Sequence, residues 1–346
     1  MESAILVGYN ELHELRELAG SAGARIVGEV IQHRRRPDPA TYIGKGKVEE
    51  LREAILVEGV AVVIFDDELS PSQAKNLEEA LETKVVDRTG LILDIFARRA
   101  RTKEGKLQVE LAQLDYRLSR LTGYNTYLSR LGGGIGTRGP GETKLEMDRR
   151  QIRRRISTLS REIEHIRKHR QLHRERRRKD RLPLVSLVGY TNAGKSTLFR
   201  ALSKEDTLVS DRLFSTLDTL IRRIQLGGNH PVLISDTVGF IRKLPHQLVS
   251  AFRATLEEVV EADLILHVID VSDPDREQKR QVVLDVLGEI GAADQPRLTV
   301  YNKVDLLEPS PYALPNGEGL SVSAVTSQGL DKLVEEIVQE MAAVKL

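Results

Sequence analysis

Residues 184–197 read Leu-Val-Ser-Leu-Val-Gly-Tyr-Thr-Asn-Ala-Gly-Lys-Ser-Thr, in which an apolar run leads directly into a glycine-framed loop. The apolar run predicts a buried β-strand, and the loop predicts the turn from that strand into a helix. In a loop of this kind, backbone N–H groups and the helix N-terminus bind phosphate oxygens. Lys195 would reach the β- and γ-phosphates, and the Ser196 hydroxyl would ligate Mg²⁺. The loop residues predicted to bind the nucleotide are Gly189, Tyr190, Thr191, Asn192, Ala193, Gly194, Lys195, Ser196 and Thr197.

A second motif, Asp236-Thr-Val-Gly239, begins at the last residue of the mainly apolar stretch 232–236. This stretch predicts another buried strand in the same sheet. Asp236 and Gly239 would then lie at the sheet edge that carries the phosphate loop. The Asp236 carboxylate suits the Mg²⁺ shell, and the Gly239 N–H can sense the γ-phosphate of a nucleoside triphosphate.

Two further motifs select the base. Asn302-Lys-Val-Asp305 follows the apolar run at residues 298–301, and Ser321-Val-Ser-Ala324 comes later in the chain. The Asp305 carboxylate can accept hydrogen bonds from the N1–H and the N2 amine of guanine, whereas adenine offers neither donor. The stretch Ser321–Ala324 would supply a backbone N–H for guanine O6. Each motif is weak alone, but the four in this order predict an enzyme that hydrolyses GTP. The residues predicted to bind the base are Asn302, Lys303, Asp305, Ser323 and Ala324.

Length and composition limit the other possibilities. A chain of 346 residues is long enough for two or three domains, and the absence of cysteine excludes disulfides and thiolate sites. No apolar stretch approaches the roughly twenty residues that span a bilayer, and the N-terminus does not read as a secretory signal. We therefore expect a cytoplasmic protein with no membrane span.

Basic charge is concentrated in one segment, although the formal net charge is only +1. Residues 149–181 are rich in arginine and contain few acidic residues, which predicts a polyanionic partner, most simply a nucleic acid. Because tryptophan is absent and aromatics are few, recognition of backbone and shape is expected rather than base stacking. The alternative is the solvated outer face of a coiled coil.

The fold class predicted from these patterns is α/β with three domains. Residues 1–100 alternate between apolar runs and helical patterns, which predicts a mostly parallel sheet with helices on both faces. In residues 101–181, leucine and isoleucine recur at heptad spacing in two stretches, which predicts an antiparallel coiled-coil hairpin. Residues 182–346 return to strand–helix alternation and form the predicted C-terminal P-loop GTPase domain.

The tip of the hairpin is predicted to be the glycine-rich loop at residues 123–143. Arg130 and Arg138 could contact phosphates there, and Tyr124 and Tyr127 could stack on unpaired bases. The alternative is a flexible connection that only joins the two helices.

Several stretches resemble the HflX family of ribosome-associated GTPases over the whole chain. They are residues 42–47, 106–114, 132–144, 189–197, 213–219 and 236–248. The resemblance implies binding to the 50S ribosomal subunit and its 23S rRNA, with the hairpin tip near the peptidyl transferase centre, and splitting of stalled or idle 70S ribosomes under stress. Many members carry a further domain after the GTPase domain, whereas this sequence stops at Leu346. We expect a monomer.

The resemblance also bears on the mechanism. It implies that Thr216, with Thr219 second, caps Mg²⁺ and the γ-phosphate in the first switch, so the predicted catalytic residues are Lys195, Thr216 and Gly239. The residue after the D-x-x-G motif usually is a glutamine that orients water, but here it is Phe240. Slow hydrolysis by the protein alone, stimulated by ribosomes, is therefore expected.

Other interpretations remain open at this point. The protein could act in ribosome assembly on 50S precursors, or it could be an RNA-binding module whose affinity GTP adjusts. Asn192 is either a K⁺ ligand or an amide that stabilises the loop. The stretch Gly44-Lys-Gly-Lys47 is either a second phosphate site, for ATP or for rRNA, or a lysine-rich helix start; the family is reported to bind ATP through this domain.

Overall fold

The chain folds into two compact units, unit 1 (Met1–His165) and unit 2 (Ile166–Leu346), in a computed structural model. Residues 122–131, 140–145, 169–179 and 343–344 are described by their backbone alone. The predicted boundaries of three domains stay a prediction. The residues that the structure describes are 1–33, 36–131, 140–179, 182–204, 213–214, 216–227, 230–243, 256–307 and 319–344.

Unit 1 contains a parallel four-stranded sheet in the order β2-β1-β3-β4. The central strands β1 and β3 are buried almost throughout, as expected for a parallel sheet with both faces covered. The predicted parallel α/β organisation of residues 1–100 is therefore confirmed. Its strands are β1 (Ser3–Gly8), β2 (Arg25–Ile31), β3 (Val62–Phe65) and β4 (Lys84–Asp87), and its helices are α1 (His13–Ser21), α2 (Lys45–Glu58), α3 (Pro71–Leu81) and α4 (Arg88–Arg99).

The carboxylate of Asp87 organises the junction between this sheet and the next helix. Asp87 is fully buried at the N-cap of α4, where it accepts hydrogen bonds from the backbone N–H groups of Leu69 and Gly90. It also accepts from the Tyr116 hydroxyl and pairs with the Arg120 guanidinium, both at 2.7 Å. A buried charge is tolerated when its hydrogen bonds are satisfied in this way.

Two long helices follow, α5 (Lys103–Leu131) and α6 (Pro140–Lys179). In unit 1, Arg155 of α6 forms a two-pronged ion pair with Glu110 of α5 at 2.7 and 2.9 Å, which places the helices side by side. Leu107 and Leu159, which belong to the two stretches of leucine and isoleucine at heptad spacing, are buried. These contacts agree with the predicted helical hairpin.

The predicted tip loop is longer than the structure allows. Residues 123–131 continue α5, and residues 140–143 already belong to α6, because the sequence from 124 to 131 contains no glycine or proline to stop a helix. Residues 132–139 lie outside the described part of the chain, and so do the side chains of Tyr124, Tyr127, Arg130 and Arg138.

Unit 2 contains a six-stranded sheet in the order β10-β9-β8-β5-β7-β6, in which only β6 runs antiparallel to its neighbour. The central strand β5 is buried along its whole length, and helices cover the sheet. The predicted P-loop domain is therefore confirmed. Its strands are β5 (Leu184–Gly189), β6 (Leu220–Leu226), β7 (His230–Asp236), β8 (Leu264–Asp270), β9 (Arg297–Asn302) and β10 (Leu320–Ser321), and its helices include α7 (Lys195–Ser203), α8 (Arg276–Glu289) and α9 (Leu330–Val344).

Among the residues that the structure describes, none of the helices is both long and apolar enough to cross a membrane.

Candidate functional site

The predicted nucleotide site lies at one edge of the sheet of unit 2. Gly189, Asp236 and Asn302 are the last residues of β5, β7 and β9, and Ser323 follows β10. Because these strands run parallel, their carboxyl ends meet at the same edge, where open α/β sheets bind ligands. The structure thus brings together the four motifs that the sequence predicted.

Lys195 begins α7 directly after the phosphate loop. Its ammonium group donates to the backbone oxygens of Gly189 and Tyr190, at 3.0 and 2.8 Å, and only 6% of the residue is exposed. Burial lowers the pKa of Lys195 to about 8, and the nearby Asp236 carboxylate opposes that shift. The loop therefore holds a concentrated positive charge at the place where phosphate oxygens would bind.

Gly194 shows why the phosphate loop needs glycine. Its φ is +87°, a conformation that side chains disfavour, and a Cβ added there would lie 2.2 Å from the side-chain nitrogen of Asn302. The loop consequently passes the base-binding motif at a distance that only glycine permits.

Three side-chain oxygens cluster at the predicted metal site. The hydroxyls of Ser196 and Thr216 lie 2.8 Å apart and contact the same carboxylate oxygen of Asp236, at 2.6 and 3.0 Å. Burial raises the pKa of the Asp236 carboxyl, an effect opposed by the hydroxyl hydrogen bonds and by Lys195. Its second oxygen has no hydrogen-bond partner among the described residues. One buried carboxylate and two half-buried hydroxyls form a cluster of oxygen donors that fits Mg²⁺.

The segment after Asp236 packs against the phosphate loop. A Cβ added to Gly239 would lie 2.9 Å from the Thr191 Cα and 3.0 Å from the Lys195 ammonium nitrogen, so no side chain fits there. The next residue, Phe240, forms a parallel bridge with Tyr190 through Thr191 N–H to Phe240 O (2.8 Å) and Phe240 N–H to Gly189 O (3.1 Å). Phe240 is only 2% exposed.

Asn302 connects the phosphate loop to the last motif. Its side chain is buried, donates to the Ala193 oxygen at 3.0 Å and accepts from the Ala324 N–H at 3.0 Å. Because the amide is used for these bonds, Asn302 holds together the phosphate loop and the Ser323–Ala324 segment of the predicted nucleotide site. Asp305 is exposed in a short 3₁₀ helix (Val304–Leu306), and Ser323 is buried, accepting from the Thr326 N–H.

Asp270 is a member of the site that the sequence analysis missed. It ends β8, and its carboxylate pairs with the ammonium group of Lys303 at 2.7 Å. The carboxylate also accepts from the backbone N–H and the hydroxyl of Ser272. Asp270 directly follows the mainly apolar stretch 264–269, just as Asp236 follows 232–235. This pattern could have predicted Asp270 as a site residue.

Asn192 and the start of α2 are the two predicted sites for which the sequence left two interpretations. Asn192 is exposed in the phosphate loop with a φ of +63°. In unit 1, Gly44 caps α2, Lys45 is exposed, and Lys47 pairs with Glu50 at 2.7 Å, which offsets part of the positive charge at this helix start.

This fold and this arrangement of motifs define a P-loop GTPase. Family models described as "GTP-binding GTPase N-terminal", "GTP-binding GTPase Middle Region" and "50S ribosome-binding GTPase" match residues 9–97, 99–177 and 184–303. The chain is 56% identical over 330 residues to GTPase HflX of Caldanaerobacter subterraneus subsp. tengcongensis, covering 95% of this chain and 77% of that protein. It is 46% identical over 337 residues to GTPase HflX of Escherichia coli, covering 96% and 79%.

The chain therefore belongs to the HflX family of GTPases. Solved structures agree with this assignment. A GTP-binding protein from the hyperthermophilic archaeon Sulfolobus solfataricus in complex with GDP is 26% identical, with a TM-score of 0.51 and coverage of 99% of this chain and 100% of that one. The crystal structure of the complex of SsGBP and GDP is 26% identical, with a TM-score of 0.55 and full coverage of both chains.

Proposed function

We propose that this GTPase binds the 50S ribosomal subunit through its rRNA and splits or rescues stalled or idle 70S ribosomes. The observation that carries the proposal is a row of exposed arginines on α6 that form no ion pair with the described residues, in a chain that also contains a GTP site. The family model described as a 50S ribosome-binding GTPase supports the choice of partner.

The row consists of Arg150, Arg153 and Arg154, which we call the arginine row. These residues are exposed and, at spacings of three and four, share one face of α6. Within the described ranges, none of the three forms an ion pair, whereas the neighbouring Arg155 pairs with Glu110. Unneutralised guanidinium groups on a rigid helix suit the phosphates of folded RNA.

The site residues support slow hydrolysis by the protein alone. When bound, Mg²⁺ supplies positive charge beside the β- and γ-phosphates. Ser196, Thr216 and Asp236 would hold it, Lys195 would bind the phosphates, and the Gly239 N–H would contact the γ-phosphate. Phe240 offers no polar side chain, so we expect ribosomal contact to complete or order the site.

The decisive measurement is GTP hydrolysis by the protein alone and with purified 50S subunits, in potassium buffer. We expect 50S subunits to stimulate hydrolysis strongly. Replacement of the arginine row by alanine should weaken 50S binding, so that a higher 50S concentration is needed for half-maximal stimulation. A matched variant, R16A/R52A/R280A, removes the same charge from arginines that already pair with Glu29, Glu82 and Glu277. Equal loss in both variants would contradict a specific role for the row.

Splitting is tested separately by sedimentation of 70S particles with GTP or a non-hydrolysable analogue. Appearance of free subunits supports the proposal. Stimulation by 50S precursors but not by mature subunits would instead favour a ribosome-assembly GTPase. RNA binding that depends on GTP without any stimulated hydrolysis would favour an RNA-binding module.

The K⁺ hypothesis for Asn192 rests on its exposed position in the phosphate loop. A cation held there would add charge between the phosphates, as an arginine finger does. Faster hydrolysis in potassium than in sodium, lost in Asn192→Ala, is the expected result. Equal rates in the two salts would leave Asn192 as a loop-stabilising amide.

The ATP hypothesis concerns the start of α2. Lys45 and the N-terminal N–H groups of this helix could bind a phosphate of ATP or of rRNA. A variant with Lys45→Ala and Lys47→Ala is expected to weaken ATP or RNA binding. Unchanged binding of both would dismiss the site.

A further inference from the structure

The position that normally carries a water-orienting side chain has no polar group in this protein. Phe240 follows Gly239 and is buried, with its backbone paired to the phosphate loop. A group that orients the attacking water must therefore come from another part of the site or from a partner.

Thr191 is the phosphate-loop residue that lies against this position. Its backbone N–H donates to the Phe240 oxygen at 2.8 Å. Its Cα and its methyl carbon lie 2.9 and 2.8 Å from the point where a Cβ on Gly239 would be. Thr191 thus packs against Gly239, the predicted γ-phosphate contact, and is hydrogen-bonded to the backbone of Phe240.

The hydroxyl of Thr191 has an unusual environment. Only 7% of the residue is exposed, and the oxygen has no hydrogen-bond partner within the described part of the chain. A buried hydroxyl without a partner destabilises a fold, and valine would fill the same volume without that penalty. A hydroxyl retained under these conditions, inside a phosphate loop, indicates that a bound ligand satisfies it.

We propose that the Thr191 hydroxyl is a catalytic group that contacts the γ-phosphate and the attacking water when GTP is bound. It accepts a hydrogen bond from the water and donates a hydrogen bond, through its own O–H, to a γ-phosphate oxygen. The water oxygen forms a bond to the γ-phosphorus while the bond from phosphorus to the bridging oxygen breaks. The water proton ends on the released phosphate, and GDP leaves; Thr191 forms no covalent bond.

This role goes beyond the proposed ribosomal function, because it concerns hydrolysis by the protein alone. Its test uses three variants of the full chain: Thr191→Val, Thr191→Ala and Thr191→Ser. Single-turnover GTP hydrolysis is measured without ribosomes, together with the affinities for GDP and for GDP with aluminium fluoride.

We expect Thr191→Val and Thr191→Ala to lower the hydrolysis rate roughly tenfold to a hundredfold, as removal of one transition-state hydrogen bond does. The affinity for GDP should stay within about twofold, while binding of GDP with aluminium fluoride weakens in parallel with the rate. Thr191→Ser keeps the hydroxyl and should retain most of the activity.

Two results would overturn the proposal. One is a Thr191→Val protein that hydrolyses GTP at the normal rate and melts at a higher temperature, which would mean that the hydroxyl serves no ligand. The other is an equal loss of GDP affinity in Thr191→Val and Thr191→Ser, which would assign Thr191 to loop structure. If the valine variant fails to fold, the alanine and serine pair decides between the same outcomes.

Discussion

The hydroxyl oxygen of Tyr190, in the phosphate loop, accepts a hydrogen bond from the backbone N–H of Arg242 at 2.8 Å. The same tyrosine receives the Lys195 ammonium at its backbone oxygen, and the Lys279 ammonium lies 5.3 Å from its ring centre. Tyr190 therefore connects the phosphate-binding lysine to the segment that follows Gly239. Movement of that segment away from the Tyr190 side chain would break this hydrogen bond.

Replacing Tyr190 by phenylalanine should free the segment around Arg242. The ring and its packing remain, so only the hydrogen bond, about 1 kcal/mol, is lost. We expect trypsin to cleave the nucleotide-free variant after Arg242 or Lys243 about fivefold faster, since local opening becomes easier by that free energy. Tyr301→Phe is the control, because no hydrogen bond of its hydroxyl is found among the described residues. Equal cleavage of all three proteins would show that the hydrogen bond does not hold the segment.

Asn302→Ala should destabilise unit 2 and weaken nucleotide binding together. The substitution leaves the buried Ala193 oxygen and Ala324 N–H without their partner, at a cost of about 2–3 kcal/mol in the free energy of unfolding. Urea unfolding and the affinity for a fluorescent GDP analogue measure the two effects. The control is Asn76→Ala, which removes an exposed amide bonded to the Ala40 oxygen in unit 1. A loss of affinity without any loss of stability would contradict the supporting role of Asn302.

Asp236→Asn should separate stability from catalysis. Because burial raises the pKa of this carboxyl, removing its charge is expected to raise the melting temperature of the nucleotide-free protein. Mg²⁺-dependent GTP hydrolysis should fall by about 100-fold or more, since a charged metal ligand is lost. Melting curves with GDP, in Mg²⁺ and in EDTA, should differ for the natural protein and coincide for the variant. A variant that still gains stability from Mg²⁺ would place the metal elsewhere.

Asp87→Ala should be among the most damaging substitutions in unit 1. The buried carboxylate holds two backbone N–H groups, a hydroxyl and the Arg120 guanidinium, and its removal leaves that charge without its partner. We expect a loss of about 3–5 kcal/mol in the free energy of unfolding, measured with urea. Asp94→Ala, at an exposed position on the same helix, is the control and should change stability by no more than about 0.5 kcal/mol.

His267, on β8, should make the protein sensitive to acid. Burial, together with nearby Arg297, Arg280 and Lys195, lowers its pKa from 6.5 to about 3. Between these values the unfolded chain binds more protons than the folded one, so stability falls as the pH drops from 6.5 towards 3. On going from pH 7 to pH 5, His267 should contribute a loss of about 2 kcal/mol.

The check is urea unfolding of the natural protein and of His267→Leu at both pH values. Leucine cannot titrate, so the free energy of unfolding of this variant should fall by about 2 kcal/mol less than that of the natural protein between pH 7 and pH 5. The same pH dependence in both proteins would mean that other groups account for it.

Local patterns were sufficient to predict most elements of this protein. The run before Gly189 contains only apolar residues and one serine, and such a run between a basic linker and a glycine-rich loop forms a buried strand in almost any context. The start of the hairpin tip, predicted at residue 123, was wrong because α5 continues to Leu131. Glycine is concentrated from residue 132 onward, and helix propagation carried α5 to Leu131, beyond the first glycine at 123.

The sequence by itself determined the order of strands and motifs, the class of nucleotide and the residue types that bind it, because these depend on apolar periodicity and on residues adjacent in the chain. Only the tertiary structure decided which distant groups meet. Asn302 reaches the Ala193 oxygen across 109 positions, Asp270 pairs with Lys303, and the Thr191 hydroxyl becomes buried beside Phe240. Such contacts arise from the packing of separate strands and loops against one another, and no local pattern encodes the distance between them.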